Sequence, residues 1–134
     1  MVSAISKPLF ELDTIDFAYV YGSYAKGRQK EHSDLDIAVY INNPVADITS
    51  FVMNLKLVLE DVIRREVHLA VLNSAPPLLK QQVLKNGVLV FERDRRVRIE
   101  FIKRSYFEFF QYQDILNKIM EINKKKIREK ISHD

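Results

Sequence analysis

Two aspartates separated by one residue, Asp34 and Asp36, are the side chains in this 134-residue chain whose spacing most directly indicates chemistry. They stand at the start of an apolar stretch, Leu35–Ile41, that is typical of a strand. Because side chains alternate between the faces of a strand, both carboxylates project from one face, about 7 Å apart along the chain. Such carboxylates repel each other, and a cation that prefers oxygen ligands, such as Mg²⁺, relieves the repulsion. The pair therefore predicts a metal site.

A Gly-Ser step, Gly22-Ser23, is separated from Asp34 by ten residues. It follows a short apolar strand, Phe17–Tyr21, and precedes a predicted brief helix over 24–26. Free N–H groups at a helix start bind anions, and glycine lets a phosphate approach the backbone closely. A phosphate cradle beside an acidic pair is typical of triphosphate chemistry, either phosphoryl or nucleotidyl transfer. The competing interpretation is a pair of surface aspartates after a tight turn.

Hydrophobic periodicity predicts the elements that position these residues. After the two strands above it predicts a helix from Ile48 to about Arg64, a strand over Glu66–Leu72, a helix opened by Pro76-Pro77 and ended by Asn86-Gly87, a strand over Val88–Glu92, and one long helix or two in series from Asp94. This alternation predicts an α/β fold around a single sheet. The length fits one domain, residues 1–134.

The amino-acid composition bears on the cellular location of the protein and on the kind of partner that it binds. The chain has no cysteine and no apolar run long enough to span a bilayer, so we expect a cytoplasmic location and no membrane partner. Residues 94–134 carry eleven Lys and Arg against seven Asp and Glu. This basic excess is typical either of a solvated helix face or of a surface for an acidic partner or nucleic acid. Aromatic residues over 106–112 favour core packing, with part of the cluster as a partner interface.

The segment YGSYAKGRQKEHSDLDIAV resembles the signature of the polymerase-β-like nucleotidyltransferases, and specifically the minimal nucleotidyltransferase (MNT) antitoxins of HEPN–MNT toxin–antitoxin pairs. The stretch Leu72–Asp94 is similar to the family segment that follows its third strand. The resemblance implies a small mixed sheet with helices packed on it and a C-terminal helix. It places the nucleotidyltransferase core at about residues 8–93 and a helical segment at 94–134.

The resemblance also implies roles for individual residues. Gly22 and Ser23 would hold the β- and γ-phosphates of ATP, and Lys26 would meet a phosphate. Asp34 and Asp36 would coordinate two Mg²⁺ ions, with Mn²⁺ as an alternative. The acceptor would be a tyrosine of a partner HEPN ribonuclease toxin, which is silenced when AMP is attached. The expected partner is thus a protein rather than nucleic acid, and a homo- or hetero-oligomer is compatible with it.

One position departs from the family. Active members carry a third carboxylate on the third strand, and alignment through the segment Leu72–Pro77 puts His68 there. Imidazole is a poor Mg²⁺ ligand, but it can act as a general base near neutral pH. The sequence leaves three alternatives open: His68 is a catalytic base or ligand, Glu66 substitutes for the carboxylate, or neither does.

Three functions follow from these alternatives. The first is an active enzyme that transfers AMP to a partner protein. The second is an antitoxin that has lost catalysis and neutralises its toxin by binding. The third is a nucleotidyltransferase for a small molecule or RNA, which the short chain disfavours because little remains to build a second substrate-binding lobe.

Overall fold

The computed structural model describes residues 2–25, 27, 34–42 and 45–132. Its five helices and four strands, counted within those residues, alternate along most of the chain. They are α1 (Val2–Phe10), β1 (Ile15–Tyr21), α2 (Gly22–Ala25), β2 (Leu35–Ile41), α3 (Ile48–Ile63), β3 (Val67–Val71), α4 (Pro77–Asn86), β4 (Val88–Glu92) and α5 (Arg95–Ser132).

The four strands form one mixed sheet in the order β3-β2-β1-β4. Strand β1 is antiparallel to both β2 and β4, whereas β2 and β3 are parallel. Parallel neighbours need a crossover, and α3 supplies the one between β2 and β3. As a result, the starts of β2 and β3 and the end of β1 meet at one end of the sheet.

Each face of the sheet is covered by two helices. On one face, α1 and α3 pack against alternate strand residues, including Leu35, Ile37 and Val39 of β2. On the other face, α4 and α5 pack against a cluster that contains Phe17, Tyr19 and other residues of β1, β2 and β3. The predicted mixed sheet with packed helices is thus confirmed.

Most predicted elements agree with the structure, and β2 and β4 have the predicted bounds. Strand β1 begins two residues earlier than predicted, and β3 is one residue shorter at each end. Helix α5 is a single helix of 38 residues rather than two in series. Helix α1 was not predicted, since Pro8 lies inside it and proline disfavours a helix interior.

Helix α1 is held to the sheet by Arg93. The Arg93 guanidinium donates hydrogen bonds to the carbonyl oxygens of Phe10 at 2.8 Å, Leu12 at 3.1 Å and Ile15 at 3.1 Å. It also lies over the ring of Phe91, 5.1 Å from the centroid. A cation at the end of a helix satisfies carbonyls that lack a partner within the helix.

We expect Arg93→Ala to lower the free energy of unfolding by about 2 kcal/mol, because it removes hydrogen bonds from a charged donor to several partly buried carbonyls. Urea unfolding followed by circular dichroism measures the change. The matched control is Arg95→Ala, which removes an exposed arginine two residues away and should change the stability little. Equal stability of the Arg93→Ala variant and the wild type would contradict this account of α1.

Helix α5 extends well past the sheet. Its buried residues, Phe101 and Ser105, both lie within its first eleven residues. Beyond them the helix exposes many apolar side chains, including Phe107, Phe110, Ile115, Ile119, Ile122, Ile127 and Ile131. Among the described residues, no helix combines the length and the apolar composition needed to cross a membrane.

Candidate active site

The acidic pair lies where β2 begins. Asp34 immediately precedes the strand and Asp36 is its second residue, while Leu35 and Ile37 are buried on the opposite face. The side chains of Asp34 and Asp36 are 42% and 28% exposed. Both carboxylates are therefore held by a buried strand yet open to a substrate.

His68 lies directly beside this pair. In the parallel register of β2 and β3, His68 is the partner of Asp36. Its Nδ1 atom is 3.4 Å from Asp36 Oδ1, and its Nε2 atom is 3.2 Å from Asp34 Oδ2. The two aspartates and the histidine, far apart in the sequence, thus form one cluster.

Glu66 joins the cluster from the residue just before β3. Its Oε1 atom is 3.8 Å from His68 Nε2, and its carbonyl accepts a hydrogen bond from the Leu35 N–H at 2.9 Å. The start of β3 is fixed by Glu60 of α3, whose carboxylate accepts from the Val67 N–H. Glu66 therefore reaches the cluster in the parallel register that pairs His68 with Asp36. The sequence signal for this role was that Glu66 lies two residues before His68, because side chains two residues apart on a strand share a face.

Gly22 lies directly against the Asp36 carboxylate. Its φ is +71°, and a Cβ atom at this position would overlap Asp36 Oδ2. Glycine is therefore required both for the backbone conformation and for the close approach of the carboxylate. Tyr21 pairs with Asp36 across the sheet. Burial raises the pKa of Tyr21 and the charge of Asp36 raises it further, so the phenol keeps its proton at neutral pH.

We expect Mg²⁺ with ATP to raise the melting temperature of the wild type, and we expect Gly22→Ala to displace the Asp36 carboxylate and to remove that rise. The matched control is Gly27→Ala, since Gly27 has a similar φ of +68° but a Cβ there meets no atom of the described residues within 4 Å. The control carries the same backbone strain without the overlap, so it should lose some stability and keep the response to ATP. Thermal unfolding with and without ATP distinguishes the two variants.

Ser23 follows Gly22 in α2, which packs against β1 and β2. Backbone N–H groups in the first turn of a helix have no partner within it, so this segment can donate to an anion. Lys26, predicted to meet a phosphate, lies outside the described residues, as do His32 and Ser33. Tyr19, two residues before the end of β1, is 5% exposed and packs in the core, so it is not available to stack on a nucleotide base.

Comparison with known protein families identifies the family of this chain. The model of the polymerase beta nucleotidyltransferase domain matches residues 4–96. The chain belongs to this nucleotidyltransferase family. The match spans α1 and all four strands, and it therefore contains every residue of the acidic cluster.

Several nucleotidyltransferases are similar to this chain. One is MJ0435 of Methanocaldococcus jannaschii, which is named as a protein adenylyltransferase. It is 39% identical to this chain over 71 residues, which are 53% of this chain and 74% of that protein. The protein adenylyltransferase MntA of Shewanella oneidensis is 34% identical over 73 residues, 54% of this chain, and the match spans about half of its length. A crystal structure of a toxin–antitoxin pair with AMP-PNP matches 94% of this chain and 98% of its own, with a TM-score of 0.73 and 25% identity.

Proposed function

We propose that this nucleotidyltransferase is an antitoxin that transfers AMP from ATP to a tyrosine hydroxyl of a HEPN ribonuclease toxin and thereby neutralises it. The observation that carries the proposal is the convergence of Asp34, Asp36 and His68 at an open end of the sheet, beside Gly22. The similarity to two protein adenylyltransferases supports AMP as the transferred group.

In this reaction the acceptor oxygen attacks the α-phosphorus of ATP. The bond from that phosphorus to the oxygen bridging the β-phosphate breaks, and pyrophosphate leaves. The backbone N–H groups after Gly22, with the Ser23 hydroxyl, would hold the β- and γ-phosphates, and Lys26 would add a positive charge. The acceptor proton passes to His68 or to water, since a neutral imidazole can accept a proton at physiological pH.

The donor set fits a divalent cation. Asp34 and Asp36 offer carboxylate oxygens that are partly exposed, and a carboxylate has about four lone-pair directions, so Asp36 can accept from His68 and still bind an ion. Mg²⁺ or Mn²⁺, one or two ions, would neutralise the triphosphate and help hold the attacking oxygen in line when bound.

The outer part of α5 supports a protein partner. Phe107 and Phe110 are 67% and 65% exposed, and the apolar residues that follow them continue for several turns. Large exposed apolar surfaces usually mark sites of protein association. Basic and acidic residues are interspersed here, with ion pairs such as Lys118–Asp114 at 3.0 Å, which disfavours a uniform basic surface for nucleic acid.

The test uses the purified chain, a HEPN-domain ribonuclease from the same organism, and ATP labelled on the α-phosphate. We expect label on the toxin, a mass increase of one or more AMP groups and loss of ribonuclease activity. ATP labelled on the γ-phosphate should leave the toxin unlabelled, which separates nucleotidyl from phosphoryl transfer. Toxin that is inhibited without label would instead identify a binding antitoxin, and label on an aminoglycoside or an RNA would identify a different acceptor.

A further inference from the structure

The His68 imidazole has carboxylates on both sides. Nδ1 faces Asp36 Oδ1 at 3.4 Å, whereas Nε2 faces Asp34 Oδ2 at 3.2 Å and Glu66 Oε1 at 3.8 Å. An imidazolium can donate to both sides, whereas a neutral imidazole, the form that binds a metal, carries one N–H and one lone pair and can donate to one side alone. On the other side a lone pair points at carboxylate oxygens, and a cation between them removes the repulsion.

The surroundings of Asp36 indicate which side holds the cation. A histidine that binds a metal usually donates its other ring N–H to a carboxylate, which fixes the tautomer. Asp36 is suited to accept this bond, because its other oxygen, Oδ2, lies against the backbone of Gly22. With the proton on Nδ1, the lone pair of Nε2 points towards Asp34 and Glu66.

The distances on the Nε2 side fit a shared ion. One ligand atom each from Asp34, Glu66 and His68 lies within 4.8 Å of the others. Ligand atoms bound about 2.1 Å from one ion at adjacent positions are about 3–3.5 Å apart. The separations of 3.2 Å and 3.8 Å from Nε2 are close to that range, so small side-chain rotations complete the site.

We propose that Asp34, Glu66 and His68 Nε2 form a site with two oxygen ligands and one nitrogen ligand that selects Mn²⁺ or Zn²⁺ over Mg²⁺. Mg²⁺ prefers oxygen ligands, whereas imidazole nitrogen suits first-row transition metals. Affinity in that series rises from Mn²⁺ to Cu²⁺ and falls again at Zn²⁺, which still binds such ligands more tightly than Mn²⁺. The inference rests on the proposed function, because it names the ion at the same site. It also makes Glu66 a metal ligand and His68 a ligand rather than the base, so that the acceptor proton passes to water.

Metal titrations of the nucleotide-free protein test this site. Isothermal calorimetry with Zn²⁺, Mn²⁺ and Mg²⁺ should give affinities in that descending order, with Mn²⁺ at least about tenfold tighter than Mg²⁺. Glu66→Gln and His68→Ala should each weaken Mn²⁺ binding about tenfold or more. His68→Asp should restore an all-oxygen site and remove the preference for Mn²⁺. Pulsed electron paramagnetic resonance of bound Mn²⁺ should detect coupling to ¹⁴N in the wild type and none in His68→Asp.

Asp61→Asn is the matched control, since it removes an exposed carboxylate of α3 that is not one of the three proposed ligands and should leave metal affinity unchanged. Thermal unfolding of each variant verifies that it is folded. Equal affinity for Mg²⁺ and Mn²⁺ in the wild type, or Mn²⁺ binding without ¹⁴N coupling, would overturn the inference. AMP transfer assayed on the same samples keeps the two proposals apart: transfer with Mg²⁺ but no metal preference leaves the function standing, and metal preference without transfer leaves the site standing.

Discussion

Replacing Asp34 and Asp36 together by asparagine should lower the rate of AMP transfer to the toxin by about 10³-fold or more. Asparagine keeps the shape of each side chain but removes the two negative charges that attract a cation. The triphosphate is then neither neutralised nor aligned, so both the leaving pyrophosphate and the attacking oxygen lose stabilisation. The rate is measured as label transferred from α-labelled ATP under single-turnover conditions.

This variant also separates catalysis from toxin binding. The exposed apolar surface of α5 begins many residues after β2, and the substitutions leave it unchanged. We therefore expect the double variant to bind the toxin with wild-type affinity while failing to label it. Asp61→Asn, an exposed carboxylate outside the cluster, should transfer at the wild-type rate. A double variant that labels the toxin normally would remove the acidic pair from the reaction.

Replacing His68 by alanine should lower the transfer rate about 10²-fold, the usual cost of losing a positioned base or one of several metal ligands. His68 contacts both Asp34 and Asp36, so its removal also leaves those carboxylates without their neighbour. His68→Asp returns an oxygen ligand to this position, and we expect it to keep or raise activity with Mg²⁺. Measuring the transfer rate of each variant with Mg²⁺ and again with Mn²⁺ shows whether the substitution raises or lowers activity with each ion.

The outcomes for His68 distinguish an enzyme from a binding antitoxin. If His68→Ala transfers as fast as the wild type and Glu66→Gln is slow, then Glu66 takes the place of the third carboxylate alone. If the wild type transfers nothing and His68→Asp gains activity, then the chain neutralises its partner by contact and its catalytic site is silent. Loss of activity in His68→Ala with retention in His68→Asp is the expected result for an active enzyme.

Much of this architecture follows from local sequence. The apolar run of β2, closed by Asn42, is a strand in almost any context, and strand alternation puts Asp34 and Asp36 on the face opposite Leu35. Likewise, Pro77 at the start of α4 and Gly87 after its end mark that helix. Gly87 has an ordinary φ of −75°, and glycine is needed there because a Cβ would overlap the carbonyl oxygen of Val83, four residues earlier. These features are predictable because they depend on residues a few positions apart.

Helix α1 could not be predicted from the local sequence. It buries Ile5 and Leu9 completely, and these residues have helical spacing, but the internal Pro8 argues against a helix in so short a segment. Its stability comes from packing and from Arg93, which lies 83 residues beyond Phe10 in the chain. The single long α5, by contrast, follows from local sequence, because no Pro or Gly interrupts residues 94–134 and the helix beyond Ser105 is largely exposed.

The acidic pair, the Gly-Ser step and the elements that carry them were determined by the sequence itself. The tertiary structure decided which residues face the pair. Only the parallel register of β2 and β3 brings His68 opposite Asp36 and places Glu66 beside it. Only the positive φ of Gly22 brings the backbone of that residue close to the Asp36 carboxylate. A shift of one residue in that register would turn His68 to the other face of the sheet, because side chains alternate along a strand. Burial of the α1/α3 face sets the register, since Val67 must pack beside Leu35 in the core.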